Sequence, residues 1–201
     1  RKESSAASDV YKRQVLTAGL AWRDVALLRA YARYLKQIRL GFDLGYIANT
    51  LLNHPDIARE LVRLFKTRFY LARKLNADDL HDKQHKLEQA ILGALDNVAV
   101  LNEDRILRRY LDLIKATLRT NFYQPDASGE NKGYFSFKFD PSAITDLPRP
   151  VPKFEIFVYS PRVEGVHLRF GNVARGGLRW SDREEDFRTE VLGLVKAQQV
   201  K

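Results

Sequence analysis

Apolar residues recur every three or four positions along the first part of the chain, a spacing that places them on one face of a helix. Gly41 is expected to end the first such helix, which covers residues 22 to about 40. Asp43 is expected to cap a second, short helix that continues to Leu52. The apolar stripe of the first helix consists of Val25, Leu28, Tyr31, Ala32, Leu35 and Ile38.

Three more helices are predicted before residue 123. Pro55, preceded by Asn53 or His54, suits the first turn of a helix. The polar stretch 76–86 is predicted to be a connection or an exposed helix start. The apolar stripes of the three helices are Ile57, Leu61, Leu64 and Phe65; Leu87, Ile91, Leu95 and Val98; and Ile106, Tyr110, Leu113 and Leu118.

The hydrophobic period changes to two in the second part of the chain. Residues 124–133, QPDASGENKG, are turn-forming throughout. Alternation predicts strands in YFSFKFD (134–140), FEIFVYS (154–160) and GVHLRFG (165–171), with a hairpin-like connection between the last two. The proline-rich stretch 146–153 is predicted to be a linker or an edge.

The last predicted element is a helix. Ser181 and Glu184 have the spacing of a capping box. The predicted inward stripe consists of Phe187, Val191, Leu194, Gln198 and Lys201. Because the chain stops on this stripe without a capping residue, we expect the helix to be cut.

These patterns predict an α+β fold, in which a helical region is followed by a few β-strands and a helix. We expect a helical region over 15–123 and the truncated beginning of a second domain over 124–201. The opening run SSAASDVYKRQ resembles a translated library adapter, so residues 1–14 are interpreted as non-native.

Composition narrows the function classes. The chain has 201 residues and a net charge of +9, which favours an anionic partner without identifying it. The absence of cysteine excludes a disulfide framework, a zinc-thiolate site and a thiol nucleophile. No transmembrane stretch or signal peptide is recognised, so a cytoplasmic protein without a membrane partner is expected.

Two weaker patterns favour ordinary surface structure over a site. His81 and His85 stand four apart, but Asp82 occupies the position where a zincin needs glutamate, and no metal site is predicted. The arginine-rich stretch 104–119 lacks an aromatic stacking platform, and a solvated face is favoured over a nucleic-acid surface. A basic nucleic-acid-binding or helical scaffold module is kept as the alternative function.

The stretch ARGGLRW (174–180) carries the strongest candidate chemistry. A tight turn between a strand and a capped helix would explain its glycines, with Arg179 and Arg183 pairing the acidic run. The alternative interpretation is an anion site, in which Arg175 adjoins a glycine pair that allows close backbone approach. Gln198 and Lys201, returned by the following helix, would then face the same anion.

Residues 160–201, SPRVEGVHLRFGNVARGGLRWSDREEDFRTEVLGLVKAQQVK, resemble the start of the catalytic region of the large, bacterial-type NAD-specific glutamate dehydrogenases. The resemblance extends upstream and covers nearly everything after residue 14. It implies the incomplete start of a glutamate-dehydrogenase-type substrate domain. It also implies oxidative deamination of L-glutamate to 2-oxoglutarate and ammonia, with NAD as cofactor, in cytoplasmic glutamate catabolism by a homo-oligomer.

The resemblance implies four substrate-binding residues. Arg175 stands where the smaller enzymes have a lysine that binds a substrate carboxylate, and Gly176 would let the backbone approach the substrate. Gln198 and Lys201 match the residues that bind the other carboxylate. The catalytic lysine, the proton-handling aspartate and the NAD-binding domain would lie beyond residue 201. No catalytic or cofactor-binding residue is therefore assigned, and the isolated fragment is expected to be inactive.

Overall fold

A computed structural model describes residues 18–70, 75–171, 173–178 and 187–199. It confirms the α+β class, with helices first and strands afterwards. The helices are α1 Trp22–Gln37, α2 Leu44–Asn53, α3 Pro55–Phe69, α4 Ala77–Leu95, α5 Leu101–Ala116 and α6 Phe187–Gln199, with a 3-10 turn at Pro141–Ala143. The strands are β1 Thr117–Thr120, β2 Phe135–Phe139, β3 Phe154–Tyr159, β4 Glu164–Phe170 and β5 Val173–Leu178.

The chain divides into two compact units. The first contains the chain up to Ala32 together with Phe42–Ile114, and the second contains Arg33–Gly41 together with the chain from Lys115. The final residues of α1, from Arg33 onward, therefore belong to the second unit. The predicted non-native segment 1–14, the residues Arg179 and Arg183 and the predicted capping box lie outside the described residues.

The first unit is built from helices whose predicted starts are confirmed. The Asp43 carboxylate accepts a hydrogen bond from the backbone N–H of Tyr46 at 2.8 Å and caps α2. Pro55 occupies the first turn of α3, and the polar stretch predicted as a connection or helix start opens α4 with Asn76 as its cap. The buried faces include Ile57, Leu61, Leu64, Phe65, Ile91, Leu95, Ile106, Tyr110 and Leu113.

The first helix ends earlier than predicted, because Arg39 and not Gly41 turns the chain. Arg39 has a φ of 62°, and the N–H of Leu40 bonds to the carbonyl of Leu35 at 3.1 Å. This left-handed residue with a bond across five residues is a Schellman ending, a role usually filled by glycine.

The fifth helix also ends earlier than the apolar stripe predicted. Residues 117–120 form β1, and Leu118, expected on the helical stripe, is 45% exposed. The spacing from Tyr110 and Leu113 leads to Thr117 and not to Leu118. The β-branched Thr117 and Thr120 suit the strand, where they pair with Phe139 and Phe137 of β2.

The second unit is an antiparallel sheet in the order β1-β2-β3-β4-β5. The three predicted strands are confirmed as β2, β3 and β4, and β3 and β4 form the predicted hairpin. On one face of the sheet, Phe137 pairs with Phe157 and Phe157 pairs with Val166. All three are buried, so this face holds the core of the sheet.

The fifth strand corrects the prediction of a turn at the glycine pair. Val173–Leu178 pairs along its length with β4, and the turn between the two strands contains Gly171, whose φ is 74°. Strand pairing with β4, which propensity does not show, keeps residues 173–178 extended.

The predicted inward stripe of α6 is also corrected. Phe187 and Val191 are buried as expected, but Leu194 is 59% exposed and Gln198 is exposed. The buried face instead contains Arg188, Leu192 and Val195. Arg188, Leu192 and Val195 have the same helical spacing as Phe187, Val191 and Leu194. The stripe that begins with the charged Arg188 is buried at all three positions, whereas the predicted stripe becomes exposed at Leu194.

We expect Phe157→Ala to destabilise the chain by about 3–5 kcal/mol, because it leaves a cavity in the core of the sheet. Phe157 is fully buried, and its ring lies 5.2 Å from that of Tyr34. Urea unfolding measures the effect, and Val163→Ala, at an exposed hairpin residue, is the control. Equal stability of the two variants would contradict this description of the core.

Candidate functional site

Two of the four predicted site residues meet in the structure. Arg175 lies on β5 and Gln198 near the end of α6, and the Arg175 Nε donates to the Gln198 Oε1 at 2.8 Å. Both side chains are exposed to solvent. Lys201 lies outside the described residues. The helix packs against β4 and β5, and this packing brings residues 23 positions apart in the chain together.

The register of the sheet decides where Arg175 points. Arg175 pairs with Leu168, which pairs with Glu155. Directly paired residues share a face of an antiparallel sheet. Arg175 therefore lies on the face that holds the buried Leu168, the face on which its side chain meets α6.

Gly176 belongs to the opposite face, opposite His167 of β4. A Cβ atom there would lie 3.0 Å from the carbonyl oxygen of Val166 and 3.2 Å from the His167 Cδ2. The glycine is thus explained by the close approach of two strands, not by a turn. Neighbouring residues of a strand face opposite sides of the sheet, and glycine has no side chain. Gly176 can therefore act beside Arg175 only through its backbone.

The charge of Arg175 has a neutral partner. Within the part of the chain that the structure describes, Arg175 is bonded to the amide oxygen of Gln198 and to no carboxylate. Arg33 and Arg188 of the same unit, by contrast, are both paired with glutamates. The bond to Gln198 uses Nε, so the N–H groups of the two terminal nitrogens remain as further donors. Those nitrogens can bind a carboxylate in a fork.

A buried polar network, absent from the sequence predictions, lies beside this pair. The Arg188 guanidinium donates two hydrogen bonds to the Glu155 carboxylate, at 2.7 and 2.8 Å. The side chain of Arg188 is 1% exposed and that of Glu155 is 0% exposed. Burial alone would lower the pKa of Arg188, but the hydrogen bonds and charge of Glu155 outweigh burial and raise it.

The end of α1 extends the network. The Gln37 Oε1 accepts a hydrogen bond from the backbone N–H of Arg188 at 3.1 Å, and its amide nitrogen donates to Glu164 at 3.3 Å. Arg33 forms an ion pair with the same glutamate. Gln37 thereby satisfies one of the amide groups in the first turn of α6 that have no partner within the helix.

Tyr34 closes the network from the same turn of α1. Its ring stacks on Phe139 at a centroid distance of 4.5 Å. Among the residues that the structure describes, its buried hydroxyl has no hydrogen-bond partner of ordinary geometry. Burial, and next the negative charge of Glu155, raises the pKa of Tyr34, so the hydroxyl stays protonated at neutral pH.

One sequence signal could have identified the network. Glu155 occupies the same alternating set as Phe157 and Tyr159, which is the buried set of β3. Arg188 precedes Val191 and Val195 by three and seven positions, the spacing of a buried helical face. A charge on each of two inward stripes is the pattern expected of a buried ion pair.

The two weaker patterns have ordinary structural surroundings. The rings of His81 and His85 lie 6.4 Å apart on α4. Over the described residues, no group of three or more potential metal ligands occurs. In the arginine-rich helix, Arg108 bonds to Asp104 at 2.8 Å and to Asp96 at 3.1 Å, as on a solvated helix face.

Comparison with known proteins identifies the family of the region that contains the ARGGLRW stretch. The family described as "Bacterial NAD-glutamate dehydrogenase, catalytic domain" matches residues 90–201, which is more than half of the chain. The chain belongs to this family. A second family, "Glutamate dehydrogenase, helical motif 3", matches residues 6–71. The match begins inside the segment interpreted above as non-native, and the boundaries given there stay predictions.

Relatives in several bacteria carry the name NAD-specific glutamate dehydrogenase. The protein of Pseudomonas aeruginosa is 85% identical over 196 residues, which is 98% of this chain and 12% of that protein. Those of Halomonas elongata and Mycobacterium tuberculosis are 60% and 48% identical, each over 96% of this chain and 12% of their own length. The chain thus spans about 12% of the length of the curated relatives it matches.

We expect Gly176→Ala to destabilise the chain by about 1–3 kcal/mol, because the new methyl group meets the backbone of β4. The matched control is Gly193→Ala on α6, where nothing lies within 4 Å of the added carbon. Since alanine favours a helix, that control should be neutral or stabilising by up to about 1 kcal/mol. Thermal unfolding compares the two, and an equal effect of both substitutions would contradict the close strand approach.

Proposed function

We propose that this chain is a segment of an NAD-specific glutamate dehydrogenase, the enzyme that converts L-glutamate to 2-oxoglutarate and ammonia in glutamate catabolism. The family of its catalytic region and the names of its relatives support this proposal. Nothing in those families and relatives favours the alternative of a nucleic-acid-binding or scaffold module.

The observation that carries the proposal is the contact between Arg175 and Gln198. Glutamate and 2-oxoglutarate each present two carboxylates, and a guanidinium binds a carboxylate through two parallel hydrogen bonds. Arg175 offers this fork on an exposed edge of the sheet, with a charge that its neutral partner does not cancel. The proposed role of Arg175 is therefore to bind one substrate carboxylate.

Gln198 and Lys201 are proposed to bind the other carboxylate. The amide of Gln198 gives its oxygen to Arg175 and keeps its two N–H donors for a ligand. Lys201 follows three positions later and would stand on the same helical face if the helix continues. Gly176 is proposed to contribute a backbone group, since it has no side chain to present.

The described residues do not fit NAD. Their sheet is antiparallel throughout, whereas a dinucleotide-binding unit needs parallel strands joined by a helix behind a glycine-rich turn. The proposal therefore places the nucleotide site in the rest of the enzyme, together with the catalytic lysine and the proton-handling aspartate that the family resemblance implies. This chain would hold the substrate while those parts act on it. By itself it is expected to be inactive, and a cytoplasmic homo-oligomer is proposed for the whole enzyme.

Among the described residues, none of the helices has the length and apolar composition needed to span a membrane.

In the full-length enzyme, we expect Arg175→Ala and Gln198→Ala each to raise the KM for glutamate. The expected increase is about tenfold or more, since truncating one partner of a charged hydrogen bond costs at least about 1.4 kcal/mol. Initial rates of NADH formation at varied glutamate and saturating NAD give this KM. Arg162→Ala, at an exposed arginine of the hairpin connection, is the matched control.

An unchanged KM for glutamate in both variants would contradict the proposed carboxylate site. A separate measurement tests the proposal for the chain alone: the purified 201-residue chain should form no NADH from glutamate and NAD. Measurable activity would show that the catalytic residues lie within these residues.

A further inference from the structure

Helix α6 is held to the sheet at two points. Arg188 bonds to Glu155 of β3 at the start of the helix, and Gln198 bonds to Arg175 of β5 near its end. Arg188 and Gln198 are ten positions apart, which corresponds to about 15 Å along a helix axis. The first contact is buried and the second is exposed.

The two sheet residues in these contacts, Glu155 and Arg175, lie in one row of directly paired residues that crosses the strands. Glu155 pairs with Leu168, and Leu168 pairs with Arg175. The two contact residues of the sheet are therefore two strands apart, which corresponds to about 10 Å. The position of α6 over this row therefore affects whether Gln198 reaches Arg175.

The buried contact has the geometry needed to fix that position. Its two parallel hydrogen bonds define both the distance and the orientation of the guanidinium. The hydrogen bond from the backbone N–H of Arg188 to the Gln37 side chain is a third directional contact at the start of α6. Apolar contacts alone would define the orientation of α6 less sharply, because the hydrophobic effect has no directional preference.

We propose that Glu155 and Arg188 are positioning residues, which fix α6 on the sheet so that Gln198 meets Arg175 at the substrate carboxylates. The proposal rests on the proposed function of the Arg175–Gln198 pair. Neither Glu155 nor Arg188 is proposed to contact the substrate, since both side chains are buried. Their effect on binding acts through the helix.

The test uses Arg188→Lys and Glu155→Asp in the full-length enzyme. Each substitution keeps the charge and changes the geometry of the contact: lysine offers one ammonium group in place of the two-bond fork, and aspartate holds its carboxylate one methylene further back. Arg63→Lys is the matched control, because Arg63 pairs with Glu60 at 3.5 Å on the exposed face of a helix. Arg63→Lys makes the same arginine-to-lysine change in an ion pair that is exposed to solvent.

A helix shifted by about 1 Å should raise the KM for glutamate about tenfold, while kcat and the KM for NAD stay within about twofold. The control should leave all three constants unchanged. A purely structural role would lower the melting temperature and the fraction of active enzyme without moving the KM for glutamate. An unchanged KM in both variants would therefore overturn the proposal, as would failure of both variants to fold.

The same assay distinguishes this inference from the proposed function. If Arg175→Ala and Gln198→Ala raise the KM for glutamate and the two buried variants do not, the carboxylate site stands and the positioning role is wrong. If Arg175→Ala and Gln198→Ala leave the KM unchanged, the proposed function fails first, and the positioning role fails with it.

Discussion

The ion pair between Arg188 and Glu155 is the interaction on which the arrangement of the second unit depends. Removing two charges from water costs several kcal/mol for each, and the cost is recovered only where hydrogen bonds satisfy both groups. The two bonds at 2.7 and 2.8 Å meet this requirement. Breaking the pair by removing one partner would leave a buried charge, so substitutions that keep both charges are the informative ones.

The candidate site follows from this constraint and from the register of the sheet. Because residues of an antiparallel sheet share a face with their direct partners, Glu155 and Arg175 lie in one row with Leu168 between them. Gly176 allows β5 to approach β4 closely enough to complete that row. The buried Arg188–Glu155 pair at the start of α6 thus holds the helix on the sheet. The exposed Arg175–Gln198 pair near its end offers a positive charge to a ligand.

The helix starts at Asp43 and Pro55 and most strands could be predicted from local patterns, because these residues and the alternation of residues 134–140 act within a few positions. The strand at residues 173–178 could not, since its glycines suit a turn equally well and only pairing with β4 extends them. The face of α6 that is buried could not be predicted either, because the stripes through Leu194 and through Val195 have the same helical spacing. The contact of Arg188 with Glu155, 33 positions earlier in the chain, selects the stripe through Val195. The pattern marked Arg175, the glycine pair and Gln198 as a possible anion site, the family resemblance made them substrate-binding residues, and the contact between Arg175 and Gln198 became visible only in the fold.

The most decisive experiment is a structure of the full-length enzyme with bound 2-oxoglutarate. We expect one substrate carboxylate within about 3 Å of the terminal nitrogens of Arg175, the ordinary distance of a charge-assisted hydrogen bond. We also expect an N–H group of Gln198 on a substrate carboxylate, with the Arg188–Glu155 pair intact beneath the helix. A substrate bound elsewhere, with Arg175 paired to a glutamate or aspartate of the protein, would contradict the proposed carboxylate site.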